Sequence, residues 1–75
     1  MVIEFHRRNA SVVFRPVVMR QVWGGYTLTR KGSTEPMTYP TALGVNCSVF
    51  PTEAAARDYL RHLYGDDLVE IDPMG

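Results

Sequence analysis

Cys47, His6, His62 and the carboxylates are the side chains of this 75-residue sequence best suited to chemistry. A cysteine nucleophile works when a base lies within hydrogen-bond reach and a third group orients that base. Cys47 with His62 is the one pair worth weighing. The surrounding pattern turns Cys47 inward from a strand and His62 outward from a helix, so the thiol reads as a small buried hydrophobe. One cysteine and two distant histidines offer none of the close ligand pairs that zinc sites use. Asp66, Asp67, Glu70 and Asp72 lack the glycine-centred spacing of a calcium loop and read as a solvated acidic segment. Gly24-Gly25 is too short to cradle a phosphate and opens onto a strand instead of a helix. An enzyme-sized pocket would also consume most of so small a core. The expectation is a protein that is not an enzyme and holds no metal or cofactor.

The elements that position these residues follow from turn signals and periodicity. Val2, Ile3 and Phe5 suit a short strand that the polar run Arg7-Arg8-Asn9 interrupts. A longer strand is expected over about 11–23. It is rich in β-branched and aromatic residues, with Val17, Met19, Gln21 and Trp23 on one face and Val18, Arg20 and Val22 on the other. Pro16, which lacks an N–H, belongs at a bulge, a strand start or an edge. Gly24-Gly25 predicts a tight hairpin with positive φ at both central positions, leading into a return strand over about 26–31. That strand sets Tyr26 and Leu28 against Thr27 and Thr29. Residues 31–40, with Gly32, Pro36 and Pro40, read as a long loop and a candidate for partner contact. Leu43, Val45, Cys47 and Val49 alternate with small or polar residues, predicting a half-buried strand over about 43–50.

Thr52 is a natural N-cap, and Glu53 complements the positive end of the helix dipole. Ala56, Tyr59, Leu60, Leu63 and Tyr64 then form the stripe of a helix over about 52–64, with Arg57, Asp58, Arg61 and His62 facing water. Gly65 stops it, and residues 66–75 form an acidic C-terminal strand or tail.

Seventy-five residues suit one core and are too few for two, so a single domain over 1–75 is expected. Its fold class is α+β: a small antiparallel β-sheet of three to four strands packed by a single C-terminal α-helix. A lone cysteine rules out a disulfide within the chain and points to a reducing compartment. The first residues lack the basic-then-apolar pattern of an export signal, and no apolar run approaches ~20 residues. A cytoplasmic protein without membrane spans is expected.

Charge is the most informative feature of the composition. The formal net charge is zero. Residues 1–31 nevertheless carry Arg7, Arg8, Arg15, Arg20, Arg30 and Lys31 against Glu4 alone, a local net of +5. Residues 32–75 carry Arg57 and Arg61 against Glu35, Glu53, Asp58, Asp66, Asp67, Glu70 and Asp72, a net of −5. Separate surfaces would make the domain a dipole able to orient a charged partner, whereas interleaving would neutralise it.

Two readings follow. The first is a protein-binding module: an inhibitor, adaptor or regulator that covers a site on a larger protein or nucleoprotein. Its contacts are expected from Tyr39, Asp66, Asp67 and Glu70. Small inhibitors encoded by phages and mobile elements, including those that block nuclease or CRISPR systems, are similar in size and in lacking motifs. The alternative is nucleic-acid binding by a basic β-hairpin, with Arg15, Arg20, Trp23, Tyr26, Arg30 and Lys31 on phosphates and bases. The run Phe50-Pro51-Thr52-Glu53-Ala54-Ala55-Ala56, leading from a sheet into one helix, resembles the arm-type DNA-binding domains at the start of tyrosine recombinases, over residues 17–64. That resemblance implies DNA contacts. Against it, the 43–50 segment has no basic residue and the sequence pI is near 6.7, below the value above about 9 usual for such domains. Neutrality and the acidic second half favour the protein-binding reading. Pairing of two copies at a sheet edge is compatible with either.

Overall fold

Alternation of apolar and polar side chains over Val2–Arg7 (β1), Val17–Val22 (β2), Gly25–Arg30 (β3) and Leu68–Ile71 (β6) builds one four-stranded antiparallel sheet, ordered β3-β2-β1-β6. The computed structural model describes residues 1–9, 11 and 13–73. Between β3 and the helix, Tyr39–Pro40 (β4) and Asn46–Cys47 (β5) pair as a separate two-stranded ribbon. The helix α1 spans Glu53–Tyr64 and packs on the sheet through β3. Among the described residues this is a small α+β fold with a single helix, and β6 follows that helix to complete the sheet.

The registers Ile3↔Met19, Phe5↔Val17 and Met19↔Leu28 set these apolar residues on one face. There they meet Ala56 and Leu60 of α1, Phe50 and Met37 in the core. Met19, Leu28, Phe50 and Leu60 are fully buried. At about 1.5–3 kcal/mol for each such side chain, they are the main favourable contribution in so short a chain. The helix begins where the Thr52 hydroxyl accepts the Ala55 N–H at 3.1 Å. It ends at Gly65, whose positive φ of 72° lets its N–H reach the Arg61 carbonyl at 2.8 Å.

Several boundaries differ from the sequence reading. The strand expected over 11–23 is a ladder only from Val17 to Val22, because Pro16 has no N–H to extend it; its carbonyl closes the ladder by accepting the Lys31 N–H at 2.7 Å. Positions 10 and 12 lie outside the described residues, as do 74 and 75 of the expected tail. Arg7 does not break a strand. It ends β1, with its guanidinium 5.4 and 5.7 Å from the Phe14 and Tyr64 ring centroids and donating to the Tyr64 carbonyl at 3.1 Å, a cation on the negative end of α1. The hairpin turn is Trp23-Gly24, since Val22 pairs with Gly25. Positive φ occurs at Gly24 but not at Trp23, the sign pattern of a type II turn.

The strand expected over 43–50 shrinks to Asn46–Cys47. Thr41 folds the chain back first: its N–H and hydroxyl both bond the Val45 carbonyl, at 3.1 and 2.7 Å, and Gly44 supplies φ of 79°. Leu43 and Val45 are thereby left outside the core row predicted for them. Nor is 31–40 an open loop, for Met37 is buried and its N–H bonds the Leu28 carbonyl at 2.6 Å.

Candidate interaction surfaces

Two turns carry exposed apolar tips. The β2–β3 turn presents Trp23, 98% exposed, beside the partly exposed Val22. The tip of the β4–β5 ribbon presents Leu43, 90% exposed, and Val45, 65% exposed. Both tips are rooted at the same place. Tyr26, two residues past the turn, exchanges backbone hydrogen bonds with Phe50 at 2.9 and 2.7 Å. The adjacent Val49 carbonyl accepts the Tyr39 hydroxyl from β4 at 2.7 Å. The Tyr39 ring stacks on Phe50 with centroids 4.4 Å apart, so Tyr39 works inside the fold as the anchor of the ribbon. Leu43 and Val45 are the surface residues that periodicity missed. The signal that separates them from a core strand is Gly44 between them, following a threonine able to close a turn.

A second surface is basic. The sheet face away from α1 holds a groove of about 510 Å³ whose lining includes Val18, Arg20, Thr29, Arg30, Lys31 and Ser33. Glu4 also lines it; its carboxylate lies 2.9 Å from His6 Nε2 and 3.5 Å from Lys31 Nζ. The hydrogen bond with His6, opposed by burial and aided by Lys31, holds the Glu4 carboxyl below its ordinary value. Arg15 donates to the Lys31 carbonyl at 3.0 Å, and Arg30 to the Tyr64 hydroxyl at 3.2 Å. The structure thus gathers Arg15, Arg20 and Lys31 at the β3 side of this face, while the Arg30 guanidinium reaches Tyr64 on the helix side and Tyr26 turns toward the helix and packs against the core.

The third surface is acidic and lies at the opposite edge. Glu70 of β6 accepts two bonds from Arg57, both 2.9 Å, and Arg57 also reaches Glu53 at 2.9 Å. These bonds, to Glu70 first, raise the Arg57 pKa above its ordinary value. Arg57 is therefore half-buried as a strut between α1 and β6, not a solvent-facing residue as its place in the helical pattern predicts. Asp66 lies 3.3 Å from Arg61, and Asp67 3.6 Å from Arg7. The ion pair of Arg7 with Asp67 joins the two halves of the sequence. Carboxylates outnumber arginines around β6, where Arg7, Arg57 and Arg61 pair with Glu53, Asp58, Asp66, Asp67 and Glu70, while Arg15, Arg20 and Lys31 stand at the β3 side. Of the residues expected to contact a protein partner, Asp66, Asp67 and Glu70 come together around β6, and Tyr39 stands apart on the ribbon.

Cys47 is half-buried on β5, its thiol donating to the Val49 carbonyl at 3.4 Å; His62 is exposed in the last turn of α1. Hydrogen bonding of the thiolate form to the Val49 backbone and then to Tyr39 holds its pKa below the ordinary value. The described residues contain no group of three or more potential metal ligands and no helix long and apolar enough to cross a membrane. Comparison with protein-family models, with curated proteins and with solved structures finds no match for this chain.

Proposed function

We propose that this protein is a non-enzymatic protein-binding module: an inhibitor, adaptor or regulator that covers a site on a larger protein or nucleoprotein in a reducing, cytoplasmic setting. The observation that carries the reading is Trp23, almost wholly exposed on a tight turn, with Leu43 and Val45 exposed on a ribbon rooted at the same place. Large apolar side chains on two separately stiffened turns contribute nothing to the core, and tryptophan is the residue most enriched among interface hot spots. The segregated charges would orient the approach of a charged partner. The reading is tested by placing a photo-crosslinking amino acid at position 23, and in a second variant at the exposed helix position 54, in cells that make the protein. A discrete adduct specific to position 23, lost on Leu43→Ser while the melting temperature is unchanged, is the expected result. The same adducts from both positions would remove the reading.

Nucleic-acid binding is the second reading, favoured by Arg15, Arg20 and Lys31 beside the groove on the β3 side and by Trp23 at the end of the same hairpin. It requires affinity for duplex or single-stranded nucleic acid that falls steeply with salt and is lost in Arg20→Glu with Arg15→Glu. Absence of binding at low salt would dismiss it.

A further inference from the structure

The two edges of the sheet are not alike. In an antiparallel ladder, alternate residues aim their backbone groups at one neighbour and the rest at the other side. On β3 the even-numbered residues point outward, and the carbonyl of each is engaged. Tyr26 bonds Phe50 in both directions, Leu28 accepts from Met37, and Arg30 accepts from Ser33 at 2.9 Å. On β6 the parity is fixed by the Arg8 N–H, which reaches the Asp67 carbonyl at 2.8 Å in the register that pairs His6 with Val69 and Glu4 with Ile71. Val69 and Ile71 therefore bond β1, and Leu68 and Glu70 aim their N–H and C=O groups away from the sheet. Among the described residues nothing accepts from or donates to them. Beside this edge a cavity of about 110 Å³ opens between α1 and β6, lined by Phe5, Leu60, Leu68, Arg57, Asp66 and Glu70. It has several times the roughly 30 Å³ that a water occupies in the liquid.

We propose that the outer edge of β6 takes up an extended basic peptide segment as a fifth, antiparallel strand, with the pattern Lys/Arg-x-aliphatic-x-Lys/Arg. Strand addition satisfies the four free backbone groups. A residue opposite Leu68 projects to the helix side of the sheet, as Leu68 does, and enters the cavity. Residues two before and two after it face Glu70 and Asp66. The charge of the occupant follows from the surroundings. Arg57 is shared by Glu53 and Glu70, and Arg61 by Asp58 and Asp66, so with Arg7 and Asp67 five carboxylates stand against three arginines. A second copy of this chain would set the same negative excess against itself, and its β3 edge is already closed.

The test uses the isotope-labelled full chain. In the free protein the amides of Leu68 and Glu70 are expected to exchange with solvent far faster than those of Val69 and Ile71. The blocked peptide Arg-Thr-Ile-Thr-Arg is then titrated. Shift changes centred on 68–70, with slowed exchange at Leu68 and Glu70, are the expected result. The peptide Glu-Thr-Ile-Thr-Glu should bind at least about tenfold more weakly, since like charges face each other. N-methylation of the isoleucine amide, which leaves the protein untouched, should abolish binding. Glu70→Lys should invert the preference between the two peptides, with Val69 protection reporting that β6 stays docked. Equal binding of both peptides, shifts elsewhere than β6, or no binding at millimolar peptide would overturn the proposal. So would Leu68 and Glu70 amides already protected in a protein that sediments as a dimer, because the occupant would then be a second copy.

Discussion

Replacing Gly25 by alanine tests the joint on which both apolar tips depend. A Cβ at this position would fall on the Phe50 carbonyl oxygen, well inside van der Waals contact, and 3.0 Å from a Val49 methyl. The Phe50 carbonyl is the acceptor of the Tyr26 N–H, and the reciprocal bond is 2.7 Å, so the displaced chain loses two backbone hydrogen bonds. At about 1 kcal/mol net for each, plus roughly 1–2 kcal/mol for an alanine held at positive φ, Gly25→Ala should destabilise by about 3–4 kcal/mol. Gly24→Ala is the control. Gly24 also has positive φ, 89°, but nothing lies within 4 Å of its added Cβ, so only the backbone contribution of roughly 1–2 kcal/mol remains. The difference of about 2 kcal/mol corresponds to roughly 8–16 °C in Tm for a domain of this size. Thermal and urea unfolding of both variants measure it. They are best run in an excluded osmolyte, because a core of this length supplies only about 3–5 kcal/mol in total and Gly25→Ala consumes most of it. Equal stability of the two variants would refute the claim that close approach of Phe50, and not hairpin geometry alone, demands glycine at position 25.

Thr52→Ala removes the acceptor of the Ala55 N–H and should lower stability by about 1 kcal/mol in urea unfolding, with Thr52→Ser recovering most of it. The Glu4 carboxyl is held below its unfolded value of 4.5, so its stabilising effect is complete above that pH and is lost as pH falls through the lower folded value. Melting temperatures recorded from pH 6 downward should therefore fall less steeply in Glu4→Gln than in the parent across that acid range. Trp23, the only tryptophan, should emit at the wavelength of a water-exposed indole and be fully quenched by iodide. Trp23→Ala should leave the unfolding free energy within about 0.5 kcal/mol of the parent; a shielded indole would contradict the exposed tip.

The fold class and the helix were legible because they rest on short-range rules. Thr52, the apolar positions Ala56, Tyr59, Leu60 and Tyr64, and Gly65 mark both ends and the buried face of α1, although Leu63 of the expected stripe stands exposed, and the alternation in β2 and β3 assigns each residue the face it occupies. Other features depended on contacts distant in sequence. Arg7 looks like a strand breaker until Phe14 and Tyr64 close around its guanidinium. Leu43 and Val45 keep the period of a strand but find no partner, because Thr41 and Gly44 turn the chain before a ladder can form. The parity that frees Leu68 and Glu70 is set by pairing with β1, more than sixty positions earlier, and no local pattern reveals it.

Residues 31–50, which composition marks as an overlong loop, owe their length to the β3 edge. Ser33, Met37 and Phe50 in turn engage Arg30, Leu28 and Tyr26, so the segment runs antiparallel to β3 and closes it against further pairing. Closing an edge in this way requires only every second backbone group of β3, and the chain between Met37 and Phe50 has more residues than that task consumes. The surplus forms the β4–β5 ribbon, held by the Tyr39 hydroxyl on Val49 and the Tyr39 ring on Phe50. A ribbon that served closure alone would have no reason to end in Leu43 and Val45, which contribute to solubility only unfavourably while exposed. Among the described residues no equivalent cover lies on β6, which is four residues long. The same small sheet therefore has one edge closed by its own chain, with apolar tips left over, and one edge open beside a cavity. These are the two places where an additional chain would gain most.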